Sequence, residues 1–235
     1  MNRLLWLDEH SALFPSPEMA MNEPNGLLAA GGDLSPKRLI SAYSNGIFPW
    51  YGEDDPILWW SPAPRCVFYP GQVKVSRSLA KRLRQKKLHV TMDQEFDRVI
   101  EACSAPRDDQ PGTWLSPEMI EAYQNLHQLG YAHSLEVWQD QQLVGGLYGV
   151  SLGRMFFGES MFSRVSDASK IALVYLSGQL QSWQFDLIDC QLPTAHLASM
   201  GAIEINRDQF LGMLADNRQQ PDRTGKWNLQ WSWSE

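Results

Sequence analysis

Cysteine is scarce in this chain: three in 235 residues, Cys66, Cys103 and Cys190, an odd number set far apart. That excludes a disulfide framework and a CxxC zinc knuckle, and fits a reducing compartment. The five histidines (His10, His89, His127, His133 and His196) show no HxxxH spacing, so no metal is expected. No apolar run approaches the ~18–20 residues of a membrane span. The first residues reach Asp8 and Glu9 too soon for a secretory leader. The expectation is a cytoplasmic, metal-free protein without a membrane partner. Basic charge is also short overall, with a formal net charge of −7, which taken whole speaks against a nucleic-acid partner. Hydrophobic residues at 43% and charged residues at 20% fit a globular chain rather than a disordered one.

In one stretch the missing charge is acidic. Residues 71–92 contain no Asp or Glu, yet Lys74, Arg77, Lys81, Arg82, Arg84, Lys86 and Lys87 all fall there. That stretch carries +7 and leaves −14 for the remainder. It reads either as a solvated helix face or as a footprint for a phosphate backbone. Tryptophan is abundant, ten in all. Each ring serves either core packing or as a flat face for a base.

Residues 1–62 are rich in Pro and Gly, with one readable helix. Ser35 caps it, Pro36 suits its first position, Leu39, Ile40 and Tyr43 form its apolar stripe, and Asn45-Gly46 stops it. So irregular a segment cannot hold a core alone and should pack on the rest of the chain, with Trp59 and Trp60 pinning the two parts together. From Cys66 the texture changes. A short strand precedes a helix with Leu79 and Leu83 inward and its cations outward, and another strand comes after it. One helix presents Phe96, Val99, Ile100 and Cys103. The next is capped by Ser116, has Pro117 at its first position and stops at Gly130. A three-strand meander covers residues 134–138, 142–150 and 154–160, where Gly145 and Gly146 mark a bulge or a close backbone approach. Then come a helix capped by Asp167, a strand through residues 185–191, a short helix ending at Gly201 and a last strand. The tryptophans of the tail, Trp227, Trp231 and Trp233, carry no readable role.

This order is that of a GNAT-type acyltransferase. The expected class is mixed α/β (α+β): a small irregular N-terminal domain, residues 1–62, packed on a GNAT-like catalytic domain, residues 63–235. Acetyl-CoA users of that fold place a glycine-containing loop after the fourth strand, whose amides cradle the pyrophosphate. Here that loop, residues 163–170, is SRVSDASK and holds no glycine. No CoA, and no cofactor of any kind, is expected.

Longer strings are more specific: GGDLSP and GIFPWY in the first part, WWSPAPR at the junction, then GGLYGVSLGRMFFGESMFSRVSDASKIAL, LIDCQ and HLASMGA. Together they resemble the leucyl/phenylalanyl-tRNA–protein transferases of bacteria, over residues 5–205. The resemblance implies transfer of Leu, Phe or Met from aminoacyl-tRNA to proteins that begin with Arg or Lys, which marks them for degradation. A monomer is expected.

An ester donor needs only aminolysis. The acceptor α-amine, with a reference pKa of ~7.7–8.0, is partly neutral at neutral pH, so no nucleophilic side chain is required. Asp189 and Gln191, two apart on a strand, share a face and read as a structural pair or as catalytic groups. The resemblance implies the latter, with Asp189 polarising Gln191, whose carbonyl accepts from the attacking amine. Cys190 points the other way, as a small buried hydrophobe. The resemblance also places Phe156, Gly158 and Glu159 around an apolar donor pocket, whereas Phe157 reads as ordinary core. Such a pocket admits Leu, Met and Phe alike, because a methylene changes binding by only ~1–3 kcal/mol. Glu159 and Asp189 supply negative charge for a cationic acceptor. Trp50, Trp114 and Tyr43 are the candidates for stacking the 3′-terminal adenosine. The seven cations of residues 74–87 then become the tRNA backbone footprint. Two other readings compete: an acyl-CoA N-acyltransferase on the same fold, and a non-catalytic module that binds tRNA or protein N-termini.

Overall fold

The computed structural model describes residues 4–105 and 115–234. Its first part is organised by a small sheet. Strand β1 (Leu5–Leu7) runs parallel to β2 (Leu27–Gly31), and helix α1 (Pro36–Ser44) starts where the Ser35 hydroxyl accepts from the Arg38 amide. Strands β3 (Phe48–Pro49) and β4 (Leu58–Trp60) complete the sheet in the order β1-β2-β4-β3.

The second part begins with β5 (Arg65–Phe68), then α2 (Arg77–Gln85), β6 (His89–Met92), α3 (Phe96–Ser104) and α4 (Pro117–Gln128). Serine side chains cap α2 and α4, Ser76 accepting from the Leu79 amide and Ser116 from the Met119 amide. The meander is β7 (Ala132–Gln139), β8 (Gln142–Leu152) and β9 (Met155–Ser163). Helix α5 (Ala168–Ser182), β10 (Leu187–Asp189), α6 (Ala195–Ser199), β11 (Ile203–Ile205) and α7 (Arg207–Asn217) come after it. The large sheet runs β11-β5-β10-β9-β8-β7-β6. Its meander is antiparallel, and β10 returns through α5 to lie parallel to β9. This is the element order expected of a GNAT-type domain. Among the described residues, no helix is long and apolar enough to cross a membrane.

Strand alternation sends neighbouring side chains to opposite faces. Phe156 joins the cluster under α2, α5 and Trp227, whereas Phe157 joins the one under α1, α3, α4 and α7. That second cluster is continuous from Leu28 and Trp59 of the first sheet to Tyr148 and Leu214 of the second part. The N-terminal segment therefore shares its core with the rest of the chain, as its irregularity required. Near Gly145 and Gly146 both expected features occur. The β7–β8 register shifts between Val137 and Trp138, and a Cβ on Gly145 would overlap Ala168. Asp167 does precede α5, but with φ +65° and no side-chain cap; its carboxylate pairs with Lys170 instead.

Candidate active site

Strand β10 pairs with β9 only as far as Asp189 opposite Phe157. The chain then turns away at Gln191, whose φ is +57°. Residues 158–163 of β9 face the opening this leaves. A cavity of about 960 Å³ lies there, walled by Phe48 and Trp50 on one side, Phe156 and Leu176 at its apolar part, and Gln191 and His196 on the other. That is the upper end of the range for small-molecule sites.

Spacing alone predicts Gln191 on the strand with Asp189, and the structure corrects this. The strand ends at Asp189, and the Gln191 amide donates back to Asp189 Oδ1 at 3.0 Å. This contact closes the left-handed turn and swings the carboxamide toward the cavity. Among the described residues, Gln191 Nε2 is buried without a partner. Cys190 also lines the cavity, and burial together with the Asp189 charge pushes its thiol well above the ordinary range. The expectation that Cys190 points away as a buried hydrophobe is thus corrected, because the chain leaves the strand after Asp189 and this residue comes to the cavity wall; its thiol stays protonated and is a poor nucleophile.

Asp189 itself is completely buried and does not line the cavity. Arg65 Nε donates to its Oδ1 at 2.8 Å and Arg65 Nη2 to its Oδ2 at 2.7 Å. The guanidinium lies between the rings of Phe48 and Phe210, 5.1 and 4.6 Å from their centroids. Its positive charge neutralises Asp189 locally, so Asp189 anchors the turn rather than adding free negative charge to the cavity. Arg65 is a site residue that sequence reasoning missed; its signal was its place at the end of WWSPAPR.

Glu159 does line the cavity. In the β8–β9 register Ser160 lies opposite Tyr148 and Gly158 opposite Gly149, which leaves Glu159 as the extra residue of a bulge. The bulge breaks simple parity and aims its carboxylate at two tyrosines. Tyr43 donates to Oε1 at 2.7 Å and Tyr123 to Oε2 at 2.9 Å. Burial raises the Glu159 pKa to about 7; the two hydroxyls pull it down, Asp189 pushes it up and Arg65 lowers it. Tyr43 is fully buried on the inner face of α1, with its hydroxyl committed to this network, so it offers no face to an adenine. Tyr123, from α4, was missed because an apolar helix face gives no sign that a hydroxyl is used.

Trp50 is 45% exposed at the cavity edge, its ring braced edge-on by Trp60. Trp114 lies outside the described residues. Phe156 and Gly158 line the cavity, whereas Phe157 is core and packs on Tyr43. Lys74, Arg77, Lys81, Arg84, Lys86 and Lys87 are exposed, while Arg82 is half-buried and donates to the Ser166 carbonyl at 2.8 Å. That bond ties α2 to the loop of residues 163–170, of which Ser163, Arg164 and Ser169 line the cavity. Within this loop the Ala168 amide donates to the Val165 carbonyl and the Ser169 amide to Ser163 Oγ.

Two family models match the chain. The leucyl/phenylalanyl-tRNA protein transferase N-terminal domain matches residues 32–63, and the leucyl/phenylalanyl-tRNA protein transferase model matches residues 67–215. A leucyl/phenylalanyl-tRNA–protein transferase of Alkalilimnicola ehrlichii is 57% identical, covering 97% of this chain and 90% of that protein. One from Nitrosomonas eutropha is 58% identical, covering 94% of each. Among solved structures, a GCN5-related N-acetyltransferase from Kribbella flavida is 12% identical with a TM-score of 0.35, covering 72% of this chain and 60% of that one. Identity of this order across nearly the whole length, with both family models in sequence along it, places this chain in the leucyl/phenylalanyl-tRNA–protein transferase family.

Proposed function

We propose that the chain transfers Leu or Phe, and also Met, from aminoacyl-tRNA to the α-amine of proteins that begin with Arg or Lys. The observation that carries this reading is a cavity that joins an apolar wall, a carboxylate and a carboxamide, beside a helix rich in cations. The donor side chain lies against Phe156 and Gly158. Trp50 and Trp114 hold the terminal adenosine, and the exposed cations of α2 meet the tRNA backbone. Glu159 faces the cationic acceptor. Gln191 accepts from the attacking amine and aims it at the ester carbonyl. The C–N bond forms, the C–O bond to the ribose breaks, and the proton lost by the amine passes to the departing ribose oxygen. Asp189 and Arg65 fix the turn that presents Gln191.

Residues 1–62 serve as a small domain that supplies the Trp50 wall and Tyr43, and residues 63–235 as the catalytic domain. Every group invoked comes from one chain, which supports action as a monomer, and the donor substrate supports a cytoplasmic location. The test is to incubate the protein with labelled Leu-tRNA and peptides that differ only in their first residue. Label should pass to the peptide beginning with Arg and not to one beginning with Ala. No transfer to either overturns the proposal.

A further inference from the structure

The C-terminal segment after α7 runs back across the large sheet and inserts one ring into it. Trp227 is 3% exposed. Its indole stacks on His133 with centroids 3.6 Å apart and planes 6° from parallel. Trp183 and Phe185 meet it edge-on at 4.9 and 5.8 Å. Polar bonds fix it in the chain direction too: its amide donates to Asp93 Oδ2 at 2.7 Å and its Nε1 to the Arg223 carbonyl at 2.9 Å. Asp93 is itself buried, and His133 Nδ1 bonds the same carboxylate oxygen at 2.8 Å.

The fourth ring against Trp227 is Phe156, at 6.2 Å and 39°. Phe156 is one of the aromatic residues that line the cavity, and it is fully buried. Its ring lies over Gly149, where any Cβ would overlap it. Trp227 is a ring neighbour of Phe156 in the same buried cluster, and it is itself boxed by His133, Trp183 and Phe185. Close packing of this kind transmits a change of side-chain volume to the adjoining ring instead of absorbing it.

We infer that Trp227 is a specificity-determining positioning residue: from behind Phe156 it sets the depth of the donor side-chain pocket. This inference rests on the proposed reading of Phe156 as the donor wall. Trp227 touches no reacting atom, and its effect passes through the Phe156 ring alone. A smaller residue at 227 lets that ring retreat, deepens the pocket and favours bulkier donors over Leu.

The test is a graded series, W227F, W227L and W227A, with F156A beside it, assayed with Leu, Phe and Trp esters of adenosine as donors and one Arg-led peptide as acceptor. The kcat/KM ratio of the Trp donor to the Leu donor should rise from W227F to W227L to W227A, reaching roughly tenfold, because discrimination by pocket volume has about that scale. W227F should keep nearly the original ratio, and F156A should shift it strongly. W227L and W227F keep the series readable if W227A does not fold. A uniform loss on all donors in the Trp227 variants, with F156A still shifting the ratio, overturns the inference and leaves the donor-wall reading standing. A ratio that F156A also leaves unchanged overturns both.

Discussion

The hydroxyl oxygens of Tyr43 and Tyr123 lie 2.6 Å apart, although the residues are 80 positions apart in the chain, and both also reach Glu159. The three groups form a closed triangle of contacts. Two hydroxyl protons serve only two of its three sides; protonation of Glu159 supplies the third. Burial nonetheless holds the Glu159 pKa up, against the two hydroxyls that lower it.

This predicts a specific pH dependence of stability. The folded chain holds the Glu159 proton up to about pH 7, whereas an ordinary glutamate releases it near 4.5. Between those values the folded state binds more protons, so the contribution of this residue to stability is greatest at the acid end and falls as pH rises through the window. Glu159→Gln removes that contribution. The thermal midpoint of the wild type minus that of the variant should decline from pH 4.5 to pH 7 and level off above; a difference that does not change with pH would contradict the assignment.

The Arg65–Asp189 pair should act as a unit. Removing one partner of a buried bidentate pair leaves an uncompensated charge, at a cost of about 3–5 kcal/mol. Arg65→Ala and Asp189→Ala should each destabilise by that order in chemical denaturation. Each should also release the Gln191 turn and lower kcat by a similar factor, although neither side chain lines the cavity. Retention of full activity in a folded Arg65→Ala protein would show that the turn needs no anchor.

The cations of α2 yield a test that separates tRNA from chemistry. Lys81, Lys86 and Lys87 are exposed on or just beyond the helix, whereas Arg82 is engaged with Ser166. Changing the three lysines to Ala should raise KM for aminoacyl-tRNA and leave an aminoacyl-adenosine donor unaffected. The salt dependence of tRNA binding should weaken by ~0.7–0.9 log units per lost contact for each tenfold change in salt. Equal losses on both donors would remove α2 from the tRNA contact.

Docking of the C-terminal segment along α5 depends on an absent side chain. Gln179 Oε1 accepts from the amides of Gln230 and Trp231, and the Trp231 ring lies against Gly178, where a Cβ would overlap it. Gly178→Ala is favourable for the helix alone, yet here it should destabilise by roughly 1–3 kcal/mol through overpacking. Hydrogen exchange at the Gln230 and Trp231 amides should speed up. Unchanged protection at both amides would mean that the segment tolerates the extra methyl.

Much of the framework is legible because its signals are local. Ser35 with Pro36, and Ser116 with Pro117, announce helix starts through contacts within three residues. Strand alternation by itself separates Phe156 from Phe157. The strings from GGDLSP to LIDCQ carry the family. Parity fails at Glu159 and Gln191, where a bulge and a left-handed turn intervene, and neither has a reliable single-residue signature.

The sequence by itself determined the family, the element order, the apolar faces of the helices and the concentration of cations in residues 74–87. Each comes from residue identity and spacing of a few positions. Tertiary structure alone decided that Asp189 is neutralised by an arginine 124 residues away, that Tyr43 serves Glu159 rather than a base, and that Trp227 stands behind Phe156. Those relationships depend on strand order and on a shared core, which bring distant segments together in ways that local spacing does not encode.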